Sequence, residues 1–481
     1  MNVPDSMPGV PYRTLWRWHF YAGLLVLPFV IVLALSGSVF LFKPQIERWE
    51  ERAFLGLSAA ETAPPSLQVQ AALEAFPGAH LHSYRLPGRP GDAALVHLVL
   101  ADGGMRDVFV SPAGEVLGSL DSQRRIVEVA RRIHGTLLVG ARGSLVVELV
   151  ACWAIVMILT GLFLWWPRGR GPAGVVWPRR RRLTRDLHAV TGFWASAFAL
   201  LLLLTGLPWT EVWGRAFQAV REQAGWVRGA PQWNLGDPPA QVVPTTQGDH
   251  DHGHAHEHDH GAMAAQHGAA ADLAHFDDIV AKATREQLAF PAIVLAPGAV
   301  LFGPPSSDWT ATSLVQNRPL GARIVYDART GAELSRERFA DRHVIDRVIG
   351  YGQAWHEGAL FGVVNQVIGL LTALALVTMS VFAFLMWRRR RPAGELGVPT
   401  PPVARARPAW ITLAMLVLAA LLPLLAISLV VLWLVDLVLP RLSPAAARWL
   451  GITRAATAHK SLAGSGPATD LRRQSSESSS G

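Results

Sequence analysis

The sequence predicts a membrane α-helical bundle: four core helices as a duplicated pair, a fifth C-terminal helix, and two small α+β domains outside the membrane. Three observations carry this reading. The chain of 481 residues is 51% hydrophobic and 17% charged, with mean hydropathy +0.26. Its apolar excess lies in long uncharged runs, as a hydrocarbon core about 30 Å thick demands. Second, Arg17 to Phe40 and Arg185 to Trp209 repeat one pattern. In each, a His precedes a Gly by four residues (His19/Gly23, His188/Gly192), and a hydroxyl–Gly pair follows at one distance (Ser36-Gly37, Thr205-Gly206). Equal spacing at two landmarks indicates an internal duplication. Third, the stretches between the apolar runs mix short helical and alternating segments, and FVSPAGEVL in the first resembles YDARTGAEL in the second.

Residues 1–44 hold helix 1, preceded by Arg13 and Arg17. Those arginines place the N-terminus in the cytoplasm. The run is too long for a signal-peptide core and reads as an uncleaved span. Residues 45–125 form the first α+β domain, with a helix at LQVQAALEAF and strands at ALVHLVLAD and RDVFVSP. Residues 126–167 give a basic amphipathic lead-in carrying His134, then helix 2. A continuous helix from His134 to Trp166 would be about 48 Å long at ~1.5 Å per residue, so His134 is expected at or above the outer interface. Residues 168–187 are an arginine-rich cytoplasmic loop, and residues 188–209 are helix 3.

Residues 210–350 form the second outer region, with a low-complexity loop at 248–267 and an α+β unit from His275 to Leu334. Residues 351–391 repeat the lead-in and helix: His356 precedes Gly362 by six residues, as His134 precedes Gly140. Residues 392–440 hold a linker and helix 5, read as one span near Ile411 to Val438 with Pro423 inside it. Counting spans puts the tail, residues 441–481, outside; its arginines and Lys460 argue for the other side, so a re-entrant arrangement stays open. The final serine-rich residues read as disordered.

Net charge is +8, but the arginines flank apolar runs, which fits membrane topology and not nucleic acid. The single cysteine, Cys152, excludes a disulfide framework and an iron–sulfur cluster from this chain. No P-loop and no dinucleotide fingerprint is present. The tryptophans at helix ends, such as Trp16, Trp165 and Trp387, fit an interfacial belt.

Topology sorts the histidines. His19 and His188 share the inner end, and His134 and His356 the outer end. Neutral imidazoles on facing helices suit the two axial positions of a haem iron, so we expect two haems, one near each face. The glycines beyond each His would leave room for a flat macrocycle. Arg17 and Arg185 inside, and Arg131, Arg132 and Arg142 outside, are candidate propionate partners. Interfacial histidines that cap helices, a metal site and a proton relay are the competing readings. In the 248–267 loop, His250, His252, His254, His256, His258, His260 and His267 alternate with acidic residues. Such a tract holds a transition metal weakly; a dispensable insertion is the alternative. His343 is a further outer-face candidate.

WRWHFYAGLLVLPF, RRIHGTLLVGARGSLVVELVACWAIVMILTGLFLWWPR, TRDLHAVTGFWAS and AWHEGALFGVVNQ resemble the PepSY-associated transmembrane family over roughly residues 10–395. The resemblance implies PepSY-type outer domains and a bacterial inner-membrane location with large loops in the periplasm. It also implies a link to iron uptake, with His19, His134, His188 and His356 as ligands of two b-type haems. The function expected is a di-haem oxidoreductase that passes electrons outward to a ferric siderophore or other metal chelate. A quinol or a separate reductase would be the donor. The His-rich loop departs from the family pattern and leaves metal specificity open. The rival is a non-enzymatic PepSY module that binds peptide, regulates a protease, or buffers or transports a metal.

Overall fold

A computed structural model describes residues 10–58, 61–166, 176–179, 183–227, 273–301, 305–399 and 409–452. The His-rich loop at 248–267 lies outside the described residues. Among the described residues, five helices are long and apolar enough to cross a membrane.

The first spanning helix, α1 (Val10–Leu41), continues through Pro28, and the short α2 (Lys43–Glu50) follows it. The helices α4 (Ile126–Thr136) and α5 (Gly140–Trp165) come next, then α6 (Leu183–Gly206) and α7 (Val212–Gln223). Numbered in chain order, the later helices include α9 (Val344–His356) and α10 (Val363–Arg390). Helices α5 and α10 each pack on both α1 and α6, so four helices close a ring with α1 and α6 facing across it. Helix α4 lies on α1 and α5, and α9 on α6. One carboxylate is fully buried in the ring: Glu148 of α5 is 0% exposed. It accepts the Val212 and Trp213 amides at 2.8 and 3.0 Å, so a negative charge closes the positive N-terminal end of α7.

Each lead-in helix is separate from the span it introduces. After α4 the chain turns through left-handed Leu137, Leu138 and Gly140 (φ 50°, 63° and 60°). After α9 it turns through Gly358 and Gly362 (φ 76° and 56°). The 48 Å run expected from His134 to Trp166 is therefore broken, and Gly140 and Gly362 lie in these turns. His134 instead reaches Leu33 of α1, about 12 Å inward of that helix's end at ~1.5 Å per residue. The α4–α5 corner is tight. A Cβ on Gly143 would lie 1.7 Å from the Thr136 carbonyl oxygen. Gly143→Ala is thus expected to destabilise at or above the top of the roughly 1–3 kcal/mol range for overpacking, read as a lowered Tm in detergent.

The expected fifth helix is two helices, α11 (Ala409–Leu421) and α12 (Pro423–Leu442). Pro423 has no N–H and restricts the residue before it, so the helix stops at Leu421. The two pack against each other. Trp410 lies 5.6 Å from Phe163, near the end of α5, while the Leu421 carbonyl accepts from Trp213 at the other end of the bundle. The chain then returns through α13 (Pro444–Trp449). Arg17 donates to the Pro399 and Gly451 carbonyls at 2.6 and 3.1 Å, and Tyr21 to Leu450 at 2.6 Å. Residues 444–451 therefore sit at the Arg17 end. The return through α12 removes the conflict between a span count and the basic residues that follow.

Outside the bundle, eight strands form one antiparallel sheet in the order β4-β3-β2-β1-β5-β6-β7-β8. The first four are β1 (His80–Arg85), β2 (Ala94–Val99), β3 (Met105–Val110) and β4 (Val116–Asp121). The others are β5 (Ala292–Leu295), β6 (Trp309–Ser313), β7 (Ala322–Tyr326) and β8 (Glu333–Arg338). The two α+β regions thus join edge to edge through β1 and β5, with Tyr84 opposite Val294. Helices α3 (Pro65–Ala75) and α8 (Phe276–Arg285) cover one face, where Val69, Phe276, Val96, Val294, Trp309 and Tyr326 share a core. Ser66 clasps Asp277 between the two helices.

Candidate functional site

The bundle brings the four histidines together in two pairs. His19 of α1 faces His188 of α6 with ring centres 6.3 Å apart and planes at 76°. His134, near the end of α4, faces His356, the last residue of α9, at 6.2 Å and 78°. Leu33 lies fourteen residues beyond His19, and Leu202 fourteen beyond His188. At ~1.5 Å per residue the two levels are about 21 Å apart.

Three rings are anchored through Nδ1 to a carbonyl on a neighbouring spanning helix, and the fourth, His356, has its Nδ1 on the Thr205 hydroxyl. His19 donates to Met157 at 2.9 Å, His188 to Met379 at 3.1 Å, and His134 to Leu33 at 2.9 Å; His356 bonds the Leu202 backbone. A carbonyl only accepts, so in His19, His188 and His134 Nδ1 carries the proton and Nε2 keeps its lone pair. That is the tautomer a metal ligand needs, held as carbonyl partners hold ligating imidazoles.

Three sites share one local design. The carbonyl residue is followed three positions later by a hydroxyl and four later by glycine. Thr160, Ser36 and Thr205 lie 3.2, 3.3 and 3.2 Å from the Nδ1 of His19, His134 and His356. A Cβ on Gly161, Gly37 or Gly206 would meet the same rings at 3.0, 3.1 and 3.3 Å. Glycine therefore lets the imidazole lie against the helix backbone. His188 differs: Phe382 and Ala383 stand where the hydroxyl and glycine would be, and Met379 provides its carbonyl. Gly23 and Gly192, expected to make room for a macrocycle, face Met157 and Met379.

A haem fits this donor set. A metal–imidazole bond is about 2.0–2.1 Å, and with about 1.1 Å from nitrogen to ring centre on each side, two axial rings have centres about 6.3 Å apart. Among the described residues no group of three or more His, Cys, Asp or Glu could hold a metal ion; each histidine pair offers two axial ligands, and the equatorial donors would be the macrocycle's own.

Two of the five arginines expected near propionates are engaged with other groups. Arg17 is bound to the Pro399 and Gly451 carbonyls, and Arg131 pairs with Glu128. The side chains of Arg132, Arg142 and Arg185 make no hydrogen bond among the described residues, while the Arg132 carbonyl accepts from Thr136. His343 caps α9, its Nδ1 accepting from the Ile345 amide at 3.3 Å. Cys152 is packed in the bundle core. Sequence reading missed Thr160-Gly161 and the two methionine carbonyls. A further hydroxyl–Gly pair inside a span was the available signal for the first; nothing in a sequence marks a carbonyl.

Fold and site define a membrane-helical protein with two pairs of facing histidines in its bundle. The chain belongs to the family described as the PepSY-associated TM region, whose family model matches residues 16–390. That span includes all four histidines and ends at the last residue of α10. No curated protein matches the chain.

Proposed function

We propose that this protein is a di-haem membrane oxidoreductase that carries electrons across the bilayer to a ferric chelate. The observation that supports it best is the pair of His–His separations, 6.3 and 6.2 Å, with every Nδ1 tied back to a protein partner. His19 and His188 would hold one b-type haem, and His134 and His356 the other. Bound there, haem iron supplies one-electron chemistry. The chain's own part is to fix each imidazole's tautomer and plane and to keep the sites within apolar surroundings, which tune potential.

The same reading takes the chain as two copies of helix, outer unit, lead-in helix and helix. Matching contacts of His134 on Leu33 and His356 on Leu202, and left-handed Gly140 and Gly362, support it. The two four-stranded halves of the sheet would be the PepSY-type domains. Arg17, Arg388 to Arg391 and the tail residues 444–451 share one end, which favours the cytoplasm for that end. The sheet would then lie in the periplasm of a bacterial inner-membrane protein, and a quinol or separate reductase would be the donor.

Dithionite-reduced minus oxidised spectra of detergent-purified protein should show b-type bands for two haems per chain. Ferric protein should give the strongly anisotropic low-spin EPR signal of near-perpendicular axial imidazoles. Protein from haem-replete cells with no haem bands would overturn the reading in favour of a non-enzymatic module. Gly161→Val should displace the His19 ring and cost the inner haem alone; Gly37→Val should cost the outer one, both scored by pyridine haemochrome content.

A further inference from the structure

The uncovered face of the sheet differs between its halves. Trp309, Ala311, Ile324 and Tyr326 point into the helix-covered core. Strand alternation therefore sends Thr310, Thr312 and Arg323 to the opposite face, with Thr312 directly across from Arg323. They line an open pocket of ≈ 680 Å³, counting its mouth, together with Arg318, Arg342 and Ser306.

Three guanidinium groups converge there, facing two nearby carboxylates, Glu337 and Glu357. Arg342 is 6% exposed and bonds Glu337 at 2.7 Å. Arg318 reaches Glu357 at 3.6 Å, yet its buried Nε has no hydrogen-bond partner. The Arg323 side chain makes no hydrogen bond among the described residues, and Glu337 is the carboxylate that acts on its charge. Burial pushes Arg323 and Arg342 below the usual guanidinium range. Thr310 is 2% exposed and its hydroxyl is also without a partner. A buried donor left unpaired costs about 1–3 kcal/mol, and here several face one space.

The other half of the sheet has the same face closed and neutralised. Asp107 bonds His97 at 2.8 Å and Arg125 at 3.1 Å. Glu51 holds both Arg85 and Arg125, at 2.6 and 2.7 Å. Phe54 stacks on Phe109 beside them.

We propose that the pocket around Arg318, Arg323 and Arg342 binds a small anion through its carboxylate or phosphate oxygens, with the Thr310 hydroxyl as a further donor. Every group named offers donors, and guanidinium forks match these oxyanions two bonds at a time. A metal cation is disfavoured by the same charges. The site does not depend on what the histidine pairs hold.

Calorimetric titration of the full chain in detergent tests this, with citrate and inorganic phosphate as soluble probes and phosphatidylglycerol micelles as the lipid probe. Arg323→Gln should weaken binding about tenfold or more, and its Tm without anion should stay near the parent's, because the side chain makes no hydrogen bond among the described residues and its burial disfavours the charge. Thr310→Val, which keeps all three charges, should weaken binding several-fold. Citrate or phosphate binding lost in these variants assigns a soluble anion; micelle binding alone, lost the same way, assigns a lipid phosphate. Wild-type protein that binds none of the probes, or Arg323→Gln that binds with unchanged affinity, overturns the proposal.

Discussion

His188→Ala is expected to yield protein carrying one haem per chain in place of two, with the outer site unchanged. His188 faces His19 at 6.3 Å, and its removal leaves a five-coordinate site at most. The outer rings, about 21 Å away by helix rise, rest on different carbonyls and do not touch the inner pair. His19→Ala should remove the same haem, His134→Ala and His356→Ala the other, and His19→Ala with His134→Ala both. Spectral titration resolves this if the haems differ in potential, and EPR of each single variant should lose one low-spin signal. Reductase activity should fall to background in all of them, since a chain of two carriers conducts only when both are present. If His19→Ala and His188→Ala removed different haems, the pairing would be wrong. Of the four, His188 has the weakest support, with one carbonyl and no hydroxyl, so conservative changes beneath Met379 should disturb the inner site first.

Arg125→Ala should destabilise the extramembrane sheet by about 3–5 kcal/mol, the usual result of breaking a buried ion pair from one side. Its guanidinium meets Glu50 at 3.1 Å, Glu51 at 2.7 Å and Asp107 at 3.1 Å, and its side chain is 10% exposed. Removal strands these carboxylates between β3 and the start of α4, the helix that presents His134. Burial alone would raise Asp107, yet His97, Ser122 and Arg125 outweigh it and hold it well below the carboxylate range. Glu51 is likewise lowered: burial opposes this, and Arg85 and Arg125 prevail. Groups with depressed folded values contribute stability that is complete above the unfolded carboxylate pKa of about 4 and is lost as pH falls below it. The parent Tm should therefore drop on acidification through that range. In Arg125→Ala it should start lower at neutral pH and fall less. A variant with the parent's Tm and acid profile would show that the network is not stabilising.

Much of this protein is legible along the chain because the bilayer simplifies it. Long apolar runs must be helices, and a histidine at the same place in two of them stands out against residues that carry no chemistry. Ser36-Gly37 and Thr205-Gly206 were visible as landmarks, but their purpose was not: the partner ring arrives from a helix about a hundred residues away or more. The strands β2 and β3 show as apolar runs. By contrast β1, HLHSYR, looks polar; it becomes a strand because β5 from the other half supplies its second edge. The helix break at Pro423 was marked in the sequence, whereas the return of residues 444–451 to Arg17 was not, since the donors and acceptors there are mostly backbone.

Sequence by itself determined that this chain is a membrane protein, where its first four long apolar helices lie, and which four histidines stand apart. Those follow from residue type and local period. The tertiary structure decided which histidine meets which, that each Nδ1 is tied to a protein partner and Nε2 left bare, and that three arginines gather on one face of a joined sheet. The physical reason is that ligand geometry and uncompensated charge arise between segments distant in sequence, where carbonyls and close contacts leave no mark in the order of residues.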